Sequence, residues 1–185
     1  MTRWVVQLRL ADGATLEGLP GCAGCHLPGS VGGGDATWDV EAPQRPEPMT
    51  AGAQVLDAVA LAPLRGARVA FTGPRIKRTL LLRVRPGTPL ATRERFEAEL
   101  AEMPRYITAI RGWALSRVDD AVAPSRWTHV WEQEYETVDG LRRDYMMHPY
   151  HWAGIDRWFD AEVPQSIVEP EVAHVFYAAS GPVLP

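Results

Sequence analysis

The sequence predicts an α+β protein in which an antiparallel sheet carries helices on one face. Three observations lead to this fold class. Residues 127–135 alternate with the period of a strand, whereas Phe96, Leu100 and Met103 recur with the period of a helix. The patterns follow one another as strand, helix, strand, strand, helix, strand between residues 78 and 178. Similar strand patterns occur in the first part of the chain.

The first part of the chain contains few elements. Trp4–Leu10 is predicted to be a strand that ends at the turn 11–13, and Ala53–Leu61 offers a helical stretch. The proline-rich residues Glu41–Gly52 are expected to form a surface loop. Ala67–Phe71 is expected to form a strand.

The second part predicts a complete set of elements. Thr88 is a good N-cap, and Pro89 suits the first position of the helix Pro89–Met103. Thr137 caps the helix Val138–Met147. The remaining predictions are strands at Arg78–Val84, Tyr106–Leu115, Trp127–Tyr135 and Ala173–Ala178, a polar connection at Ser116–Arg126, and a short amphipathic helix with Trp152, Ile155 and Phe159.

The two parts resemble each other, which indicates a tandem duplication. Segments with a shared strand pattern align in pairs: Leu8–Gly13 with Leu82–Gly87, Ala36–Glu41 with His129–Glu134, and Ala67–Phe71 with Ala173–Tyr177. We therefore divide the chain into a degenerate repeat, residues 1–74, and a complete repeat, residues 75–185. Chance similarity between short strands is the alternative.

The order of elements in the complete repeat is the ferredoxin-like arrangement. Helices cover one face of its sheet, and the other face is apolar and needs a cover. Two such sheets that face each other form an α+β barrel. A tandem chain supplies both sheets, so we expect an intramolecular pseudo-dimer of the dimeric α+β barrel kind, and a further homodimer stays open.

The composition is that of an ordinary globular protein. Of 185 residues, 46% are hydrophobic and 23% are charged, and the formal net charge is -4. This charge does not favour nucleic acid or an anionic membrane as a partner, and no run approaches the ~20 apolar residues of a membrane span. Met1–Leu10 alternates and carries Arg3 and Arg9, so we expect a strand rather than a signal peptide, and a cytoplasmic protein.

The stretch Tyr145–His151 is the strongest candidate for a functional site. Pro149 ends the preceding helix near residue 147, so His148 and His151 lie on a turn. An imidazole titrates near neutrality, which suits His151 as a general acid or base, and the hydroxyl of Tyr145 can bond an enolate oxygen. His148 follows a helix C-terminus, where a structural role is favoured. A capping role is the alternative for His151.

Further residues are predicted to line a substrate pocket. His129 shares a strand face with Trp127 and Trp131, which gives the pocket a floor. A hydrogen-bonded core histidine is an equal alternative for His129. Arg83 is predicted on the face of its strand that meets the helices, where it can bind a carboxylate or thioester oxygen. Extension of its side chain to the surface is an equal alternative. Trp113 adds to an aromatic surface suited to a ring or polyene. An aromatic-rich core is the alternative.

Two sets of residues have spacings that match metal or haem sites, but their surroundings argue against both interpretations. His129, His148 and His151 have no Cys, Asp or Glu beside them in ligand register, so no metal site is expected. Cys22-Ala-Gly-Cys25-His26 matches the haem-attachment pattern C-x-x-C-H, which normally needs export. Proline and glycine flank this segment on both sides, so we interpret the cysteines as small residues in a tight turn.

Residues 78–177 resemble the stress-responsive A/B barrel (Dabb) family, including its olivetolic acid cyclase-like polyketide cyclases. The resemblance rests on the strand Leu80–Val84, on Trp127–Val130 leading into Glu134–Glu136, and on Tyr145-x-x-His148-Pro149-x-His151. It implies an intramolecular aldol condensation of a linear poly-β-keto thioester without metal or organic cofactor. It also implies that Tyr145 and His151 are the essential pair, with His129 beside them.

Two positions depart from the family pattern and leave the reaction open. The resemblance aligns a first-strand histidine with Thr79 and a first-helix tyrosine with Leu100. We expect a cofactor-independent polyketide cyclase, or a related aldol, lyase or dehydratase-type enzyme of bacterial specialised metabolism. The substrate would be a polyketide or an aromatic or polyene molecule. The alternatives are a cofactor-free monooxygenase and a non-catalytic, stress-associated barrel that binds small molecules.

Overall fold

A computed structural model describes residues 1–48 and 50–185. In this part of the chain, eight strands form a single antiparallel sheet that carries one α-helix and several short helical segments on the second half. The strands are β1 (Thr2–Leu10), β2 (Cys22–Cys25), β3 (Ala36–Ala42), β4 (Ala53–Arg68), β5 (Arg75–Leu82), β6 (Gly112–Val118), β7 (His129–Tyr135) and β8 (Ala173–Ala179). The helix is α1 (Leu90–Tyr106), and shorter segments follow at Gly140–Tyr145 and Tyr150–Ile155 (both π-helical) and at Asp156–Trp158 (3₁₀).

The strand order confirms the ferredoxin-like α+β class. The strands lie in the order β2-β3-β1-β4-β6-β7-β5-β8. The last four have the ferredoxin-like order, with α1 between β5 and β6. The first four strands repeat this order without the helices. The duplication and its boundary at residue 74 stay predictions.

The sheet curves into a nearly closed barrel. β4 is long enough to pair with β1 along its first part and with β6 along its second part, which joins the two halves. On the other side the halves meet after β2, where the Leu27 N–H donates to the Phe176 carbonyl at 2.9 Å. Val31 and His174 then exchange two backbone hydrogen bonds of 2.8 and 2.9 Å. Gly24 allows this closure because a Cβ at that position would overlap the ring of Tyr177.

The barrel interior holds a network of buried charges. Lys77 Nζ lies 2.9 Å from Asp39 Oδ1 and 2.7 Å from Glu132 Oε1. Arg3 donates to both oxygens of Glu132 at 2.6 and 2.7 Å. Since β3 and β5 are not neighbours in the sheet, the contact between Lys77 and Asp39 must cross the interior. The network therefore ties the two halves together with paired charges.

The outer faces of the two halves are covered differently. On the second half, α1 places Phe96, Leu100 and Met103 in a core with Leu80 and Trp131 of the sheet. On the first half, the outer face of β1 and β3 is buried under loop side chains and Ala123 rather than under helices. In the described part of the chain, the second half therefore has a layer between sheet and helices where a cavity can lie.

The structure corrects two predictions in the first half. Ala53–Leu61 is not helical but forms the start of β4, because pairing with β1 and then with β6 outweighs the helix propensity of its alanines. Ala67–Phe71 is not a separate strand, since β4 ends at Arg68. The predicted loop Glu41–Gly52 begins two residues later than expected, after Ala42, and residue 49 lies outside the described residues.

Helix boundaries also differ from those predicted. Thr88 does not cap α1, because its hydroxyl donates to the Arg85 carbonyl at 2.7 Å and Pro89 occupies the N-cap. α1 continues through Pro104 to Tyr106, so β6 starts later than predicted. Thr137 does cap the next segment, since its Oγ1 accepts from the Gly140 N–H at 3.0 Å. Among the described residues, no helix has the length and apolarity needed to cross a membrane.

Candidate functional site

A cavity of about 330 Å³ lies between the sheet of the second half and the helical segments that cover it. We call it the site cavity. Its polar lining comes from Arg78 of β5, His174 of β8, and Tyr145, His151 and Asp156 of the helical segments. The rest of the wall is largely apolar, with Leu80, Leu100, Trp131, Ile155, Phe159 and Val172 among its residues.

Pro149 brings Tyr145 and His151 together. The first π-helical segment ends at Tyr145, and the His148 N–H still bonds its carbonyl at 3.2 Å. Pro149 has no N–H to continue the hydrogen bonds of the helical segment, but its backbone dihedral angles suit the start of the next segment. The ring centres of Tyr145 and His151 lie 4.4 Å apart across this turn, with both side chains buried.

Arg78 supplies a buried positive charge to the site cavity. Its Nε donates to Nε2 of His174 at 2.7 Å, and its Nη1 donates to Oε1 of Gln133 at 2.6 Å. Its guanidinium carbon lies 5.0 Å from the centre of the Tyr145 ring. Among the described residues it pairs with no carboxylate, so neutral groups alone hold its charge in place.

Burial and this charge together set the protonation of both histidines in the site cavity. Burial and the charge of Arg78 lower the pKa of His151 to about 4. The charge of Arg78 and burial lower the pKa of His174 to about 3. Both imidazoles are therefore neutral at pH 7. Since His174 accepts from Arg78 at Nε2, its proton lies on Nδ1.

Tyr145 and Asp156 complete the polar groups. Burial raises the pKa of the Tyr145 hydroxyl, although the charge of Arg78 opposes the shift, so the hydroxyl stays protonated and can donate. Burial also raises the pKa of Asp156, whose Oδ1 lies 3.6 Å from Nε2 of His151. Among the described residues, Nδ1 of His151 is buried without a hydrogen-bond partner. The arrangement combines a neutral base, a hydroxyl donor and a cation beside an apolar wall.

The predicted residues Tyr145, His151 and Trp131 all line the site cavity. Leu100 lines it as well, at the position where the family pattern has a tyrosine. Nε1 of Trp131 is a buried donor without a partner in the described part of the chain. Tyr145 and His151 of the turn therefore share one cavity with Trp131, which is one of the residues predicted to form the pocket floor.

The other two predicted histidines do not line the site cavity. His129 bonds Oε1 of Glu97 through Nε2 at 2.9 Å and the Thr128 hydroxyl through Nδ1 at 2.8 Å, and it borders a different cavity. His148 accepts from the Tyr150 N–H at 3.2 Å, which is a structural contact within the turn. These positions separate His129 from the turn that carries the other two histidines.

Three further predicted residues lie outside the site cavity. Trp127 precedes β7, so the strand alternation does not reach it, and its Nε1 donates to Asp57 at 2.6 Å. Arg83 lies beyond the end of β5 and faces solvent, 3.7 Å from a Glu169 oxygen. Trp113 packs behind Trp131, with ring centres 5.6 Å apart.

Sequence reasoning missed Arg78, His174 and Asp156. The predicted position of Arg83 on the face that meets the helices puts Thr79 on that face too, by alternation. In the structure Arg78 occupies that face, and Thr79 bonds Lys77 in the barrel interior. This is a register error of one residue, which exchanges the two faces of a strand. All residues of β5 are buried and both of its faces carry polar side chains, so no signal in the sequence marks the face of Arg78.

The cysteine segment forms part of the sheet rather than a tight turn. Cys22 and Cys25 are free thiols at the two ends of β2. His26 follows the strand and bonds the Gly34 carbonyl at 3.0 Å and the Thr37 hydroxyl at 2.8 Å. Among the described residues, no group of three or more His, Cys, Asp or Glu side chains is arranged to hold a metal ion.

A family model described as Stress responsive A/B Barrel Domain (Dabb) matches residues 76–169. The match spans slightly more than half of the 185 residues and includes both the turn at Pro149 and Arg78. No curated protein matches the chain.

Several solved structures resemble the chain. A Fusobacterium nucleatum protein, provisionally named as a monooxygenase, has a TM-score of 0.58 at 9% identity, covering 98% of this chain and 94% of that one. A dimeric ferredoxin-like protein of unknown function from Thermobifida fusca has a TM-score of 0.47 at 20% identity, covering 60% of this chain and 97% of that one. One from Bacteroides fragilis has a TM-score of 0.42 at 22% identity, covering 56% and 94%. At such identities, the likeness bears on the fold alone.

Proposed function

Because the chain belongs to the stress-responsive A/B barrel (Dabb) family, we propose that the site cavity is the active site of a cofactor-independent enzyme acting on a small carbonyl compound. The reaction is an intramolecular aldol cyclisation of a poly-β-keto thioester, or a related lyase or dehydratase step. The observation that carries the proposal is the grouping of Arg78, Tyr145 and His151 around one apolar cavity. The enzyme would act in the cytoplasm.

His151 is the general base in this proposal. Its pKa of about 4 keeps the imidazole neutral at pH 7, so it is ready to accept a proton. A methylene between two carbonyl groups is acidic enough to lose a proton to such a base. As the enolate forms beside Arg78, its negative charge offsets the guanidinium charge that disfavours the imidazolium. Proton transfer and enolate formation therefore favour each other.

Tyr145 and Arg78 stabilise the enolate oxygen. The protonated hydroxyl of Tyr145 donates a hydrogen bond, and the Arg78 charge acts in a buried environment where it is weakly screened. The enolate carbon then attacks a second carbonyl of the same chain and forms the new carbon–carbon bond. The imidazolium of His151 returns its proton to the resulting alkoxide, which balances the step without a metal or cofactor.

The apolar wall suits a polyketide or an aromatic substrate. The site cavity has a volume of about 330 Å³, which is at the small end of the range for small-molecule sites. Trp131 and Phe159 offer flat surfaces for a ring or for conjugated carbonyl groups. Trp131 Nε1 supplies one more donor for orientation.

The two halves have separate tasks in this proposal. Residues 75–185 supply the polar groups of the site. Residues 1–74, as a degenerate repeat, supply the partner sheet that closes the barrel, and their Val31 adds one apolar residue to the cavity wall. Their shared strand order and the buried contacts of Lys77 with Asp39 support this division. The chain is then a pseudo-dimer by itself.

A cofactor-free monooxygenase is the second candidate. The Fusobacterium nucleatum protein that resembles the chain over 98% of its length carries that provisional name. A neutral base beside Arg78 could also form the substrate anion that such an oxygenation needs. A non-catalytic binding barrel is the remaining alternative.

Product analysis with one substrate separates these functions. The purified chain is incubated with a linear poly-β-keto N-acetylcysteamine thioester, and mass spectrometry and an oxygen electrode follow the reaction. The proposal expects a cyclised or dehydrated product without oxygen uptake, and loss of that product in the His151→Ala variant. Stoichiometric oxygen uptake would identify a monooxygenase. Thioester that is bound but recovered unchanged would identify a binding protein.

A further inference from the structure

A second cavity of about 340 Å³ lies beside the loop that leads into α1. We call it the arginine cavity, because Arg83, Arg85, Arg93 and Arg126 all line it. Its other polar groups include Thr88, Ser125, Thr128 and His129, and its lining has one carboxylate, that of Asp120. The charge of this lining is opposite in sign to the net charge of the chain.

The arginine cavity is distinct from the site cavity. The ring of Phe96 lies between them, 6.0 Å from His129 in one wall and 6.1 Å from Phe159 in the other. Phe96 is fully buried, so the two cavities do not open into each other at this point. The ligand of the arginine cavity is therefore inferred from the residues that line this cavity alone.

Two of its guanidinium groups lack a counter-charge. Arg85 donates to the Ser166 carbonyl at 2.9 Å and to the Ser166 hydroxyl at 3.2 Å, and neither partner is charged. Nε of Arg93 is a buried donor without a partner in the described part of the chain. An ion pair with a carboxylate is absent for both side chains among the described residues. Cations placed together in this way repel one another, unless an anion binds between them.

The remaining two arginines stand at the rim. Arg126 stacks over Trp127 with its guanidinium carbon 4.3 Å from the ring centre. It pairs with exposed Glu171 and lies 4.0 Å from the half-buried carboxylate of Asp57. Arg83 lies 3.7 Å from Glu169, and both are partly exposed. Such exposed pairs are weak, so both arginines remain free to contact an incoming anion.

The start of α1 adds positive potential to the same region. No acidic residue lies in its first turn, and no side chain caps its backbone N–H groups. Arg93 belongs to this first turn, and Gly87 and Thr88 of the preceding loop also line the arginine cavity. The helix dipole therefore reinforces the guanidinium charges.

We propose that the arginine cavity binds a phosphate group, as a small phosphate ester or a diphosphate. Guanidinium forks match the geometry of phosphate oxygens, and a dianion neutralises the charges of Arg85 and Arg93 together. The volume of about 340 Å³ accommodates two linked phosphates. This site is independent of the reaction proposed for the site cavity, and its test is a binding measurement that requires no turnover.

Calorimetric titration of the full chain with inorganic pyrophosphate at low salt tests the proposal, with inorganic phosphate and succinate in parallel. Pyrophosphate is expected to bind to one site more tightly than succinate. Arg93→Gln and Arg85→Gln should each weaken that binding by about tenfold or more. Arg105→Gln is the matched control, since Arg105 is an exposed arginine in the last turn of α1, and it should leave binding unchanged.

Three results would overturn the proposal. The first is that pyrophosphate gives no heat of binding at low salt, although cooperative melting shows that the wild-type protein is folded. The second is equal weakening by Arg105→Gln, which would mean attraction to the general surface. The third is succinate binding as tight as that of pyrophosphate, which would rule out selection for phosphate. Thermal melting of Arg93→Gln at the wild-type temperature without ligand verifies that the variant folds.

Discussion

The ring of His151 lies 4.4 Å from the ring of Tyr145, across a turn that Pro149 creates. The same pair lies under the influence of Arg78, whose guanidinium is 5.0 Å from the Tyr145 ring and lowers the pKa of His151. A base, a hydroxyl and a cation are thus held by three different elements around one cavity. Each of the three groups can be tested by a separate substitution.

Removing the Arg78 charge should raise the pKa of His151. In the wild type this pKa is lowered to about 4, so His151 is neutral above that pH and a reaction that needs the base is lost as the pH falls through 4. In Arg78→Gln, only burial still opposes the charged form, and the loss should begin at a higher pH. NMR titration of the His151 ring protons measures the shift directly. Arg105→Gln should leave the titration unchanged, and an unchanged value in Arg78→Gln would refute the assigned cause.

Tyr145→Phe should reduce turnover while the protein stays folded. The substitution removes only the hydroxyl, so the buried ring and its contact with His151 remain. Loss of a hydrogen bond to a developing oxyanion lowers kcat by about 100-fold. Tyr106→Phe is the control, because Tyr106 is exposed and stacks on Tyr150 away from the site cavity. Equal kcat values for the two variants would exclude Tyr145 from the chemistry.

Glu132→Gln should destabilise the barrel strongly. Removing the Glu132 charge from a buried ion network leaves Arg3 and Lys77 with the carboxylate of Asp39 alone, which costs about 3–5 kcal/mol. Urea unfolding at pH 7 measures this loss. Glu102→Gln, in an exposed pair with Arg105, should cost no more than about 1 kcal/mol. Similar losses for both variants would mean that the interior network contributes little.

The contribution of Glu132 to stability should depend on pH in one direction. Burial alone would raise its pKa, but the charges of Arg3 and Lys77 outweigh burial and lower it to about 2. A carboxylate with a lowered pKa stabilises the fold above its unfolded value of 4.5, and this contribution is lost as the pH falls toward 2. The stability difference between wild type and Glu132→Gln should therefore shrink over that range, and a constant difference would contradict the assignment.

Gly24→Ala should weaken the closure of the barrel. The new methyl group would overlap the ring of Tyr177, whose hydroxyl is fixed by a 2.8 Å hydrogen bond to Asp39. Overpacking of this kind costs about 1–3 kcal/mol in unfolding free energy. Gly154→Ala is the matched control, since nothing lies within 4 Å of its added methyl group. If Gly24→Ala unfolds at the same urea concentration as Gly154→Ala, then β2 and β8 are not closely packed there.

The turn at Pro149 could be predicted from sequence because its cause is local. Proline fixes its own backbone and removes a donor, so the break between Tyr145 and His151 needs no knowledge of the rest of the fold. The sheet core of the second half was also predictable, since Trp131 lies on a strand with a regular period. These local signals identified the pair in the site cavity.

Arg78 could not be assigned in the same way. β5 is buried on both faces, with Lys77 and Thr79 toward the interior and Arg78 toward the helices. A strand that carries polar groups on both faces has no polarity pattern to set its register. The start of β4 could not be predicted either. Its pairing with two different neighbours overrides its local preference for a helix, and such pairing depends on residues far away in the sequence.

Exchange of an activated methylene tests the central claim most directly. Acetoacetyl N-acetylcysteamine is incubated with the protein in deuterated buffer, and NMR follows the loss of the methylene protons. Wild type and His148→Ala are expected to accelerate exchange alike, because His148 does not line the site cavity. His151→Ala should lose about 100-fold or more of that acceleration. Exchange at the wild-type rate in folded His151→Ala would contradict the claim that His151 is the base.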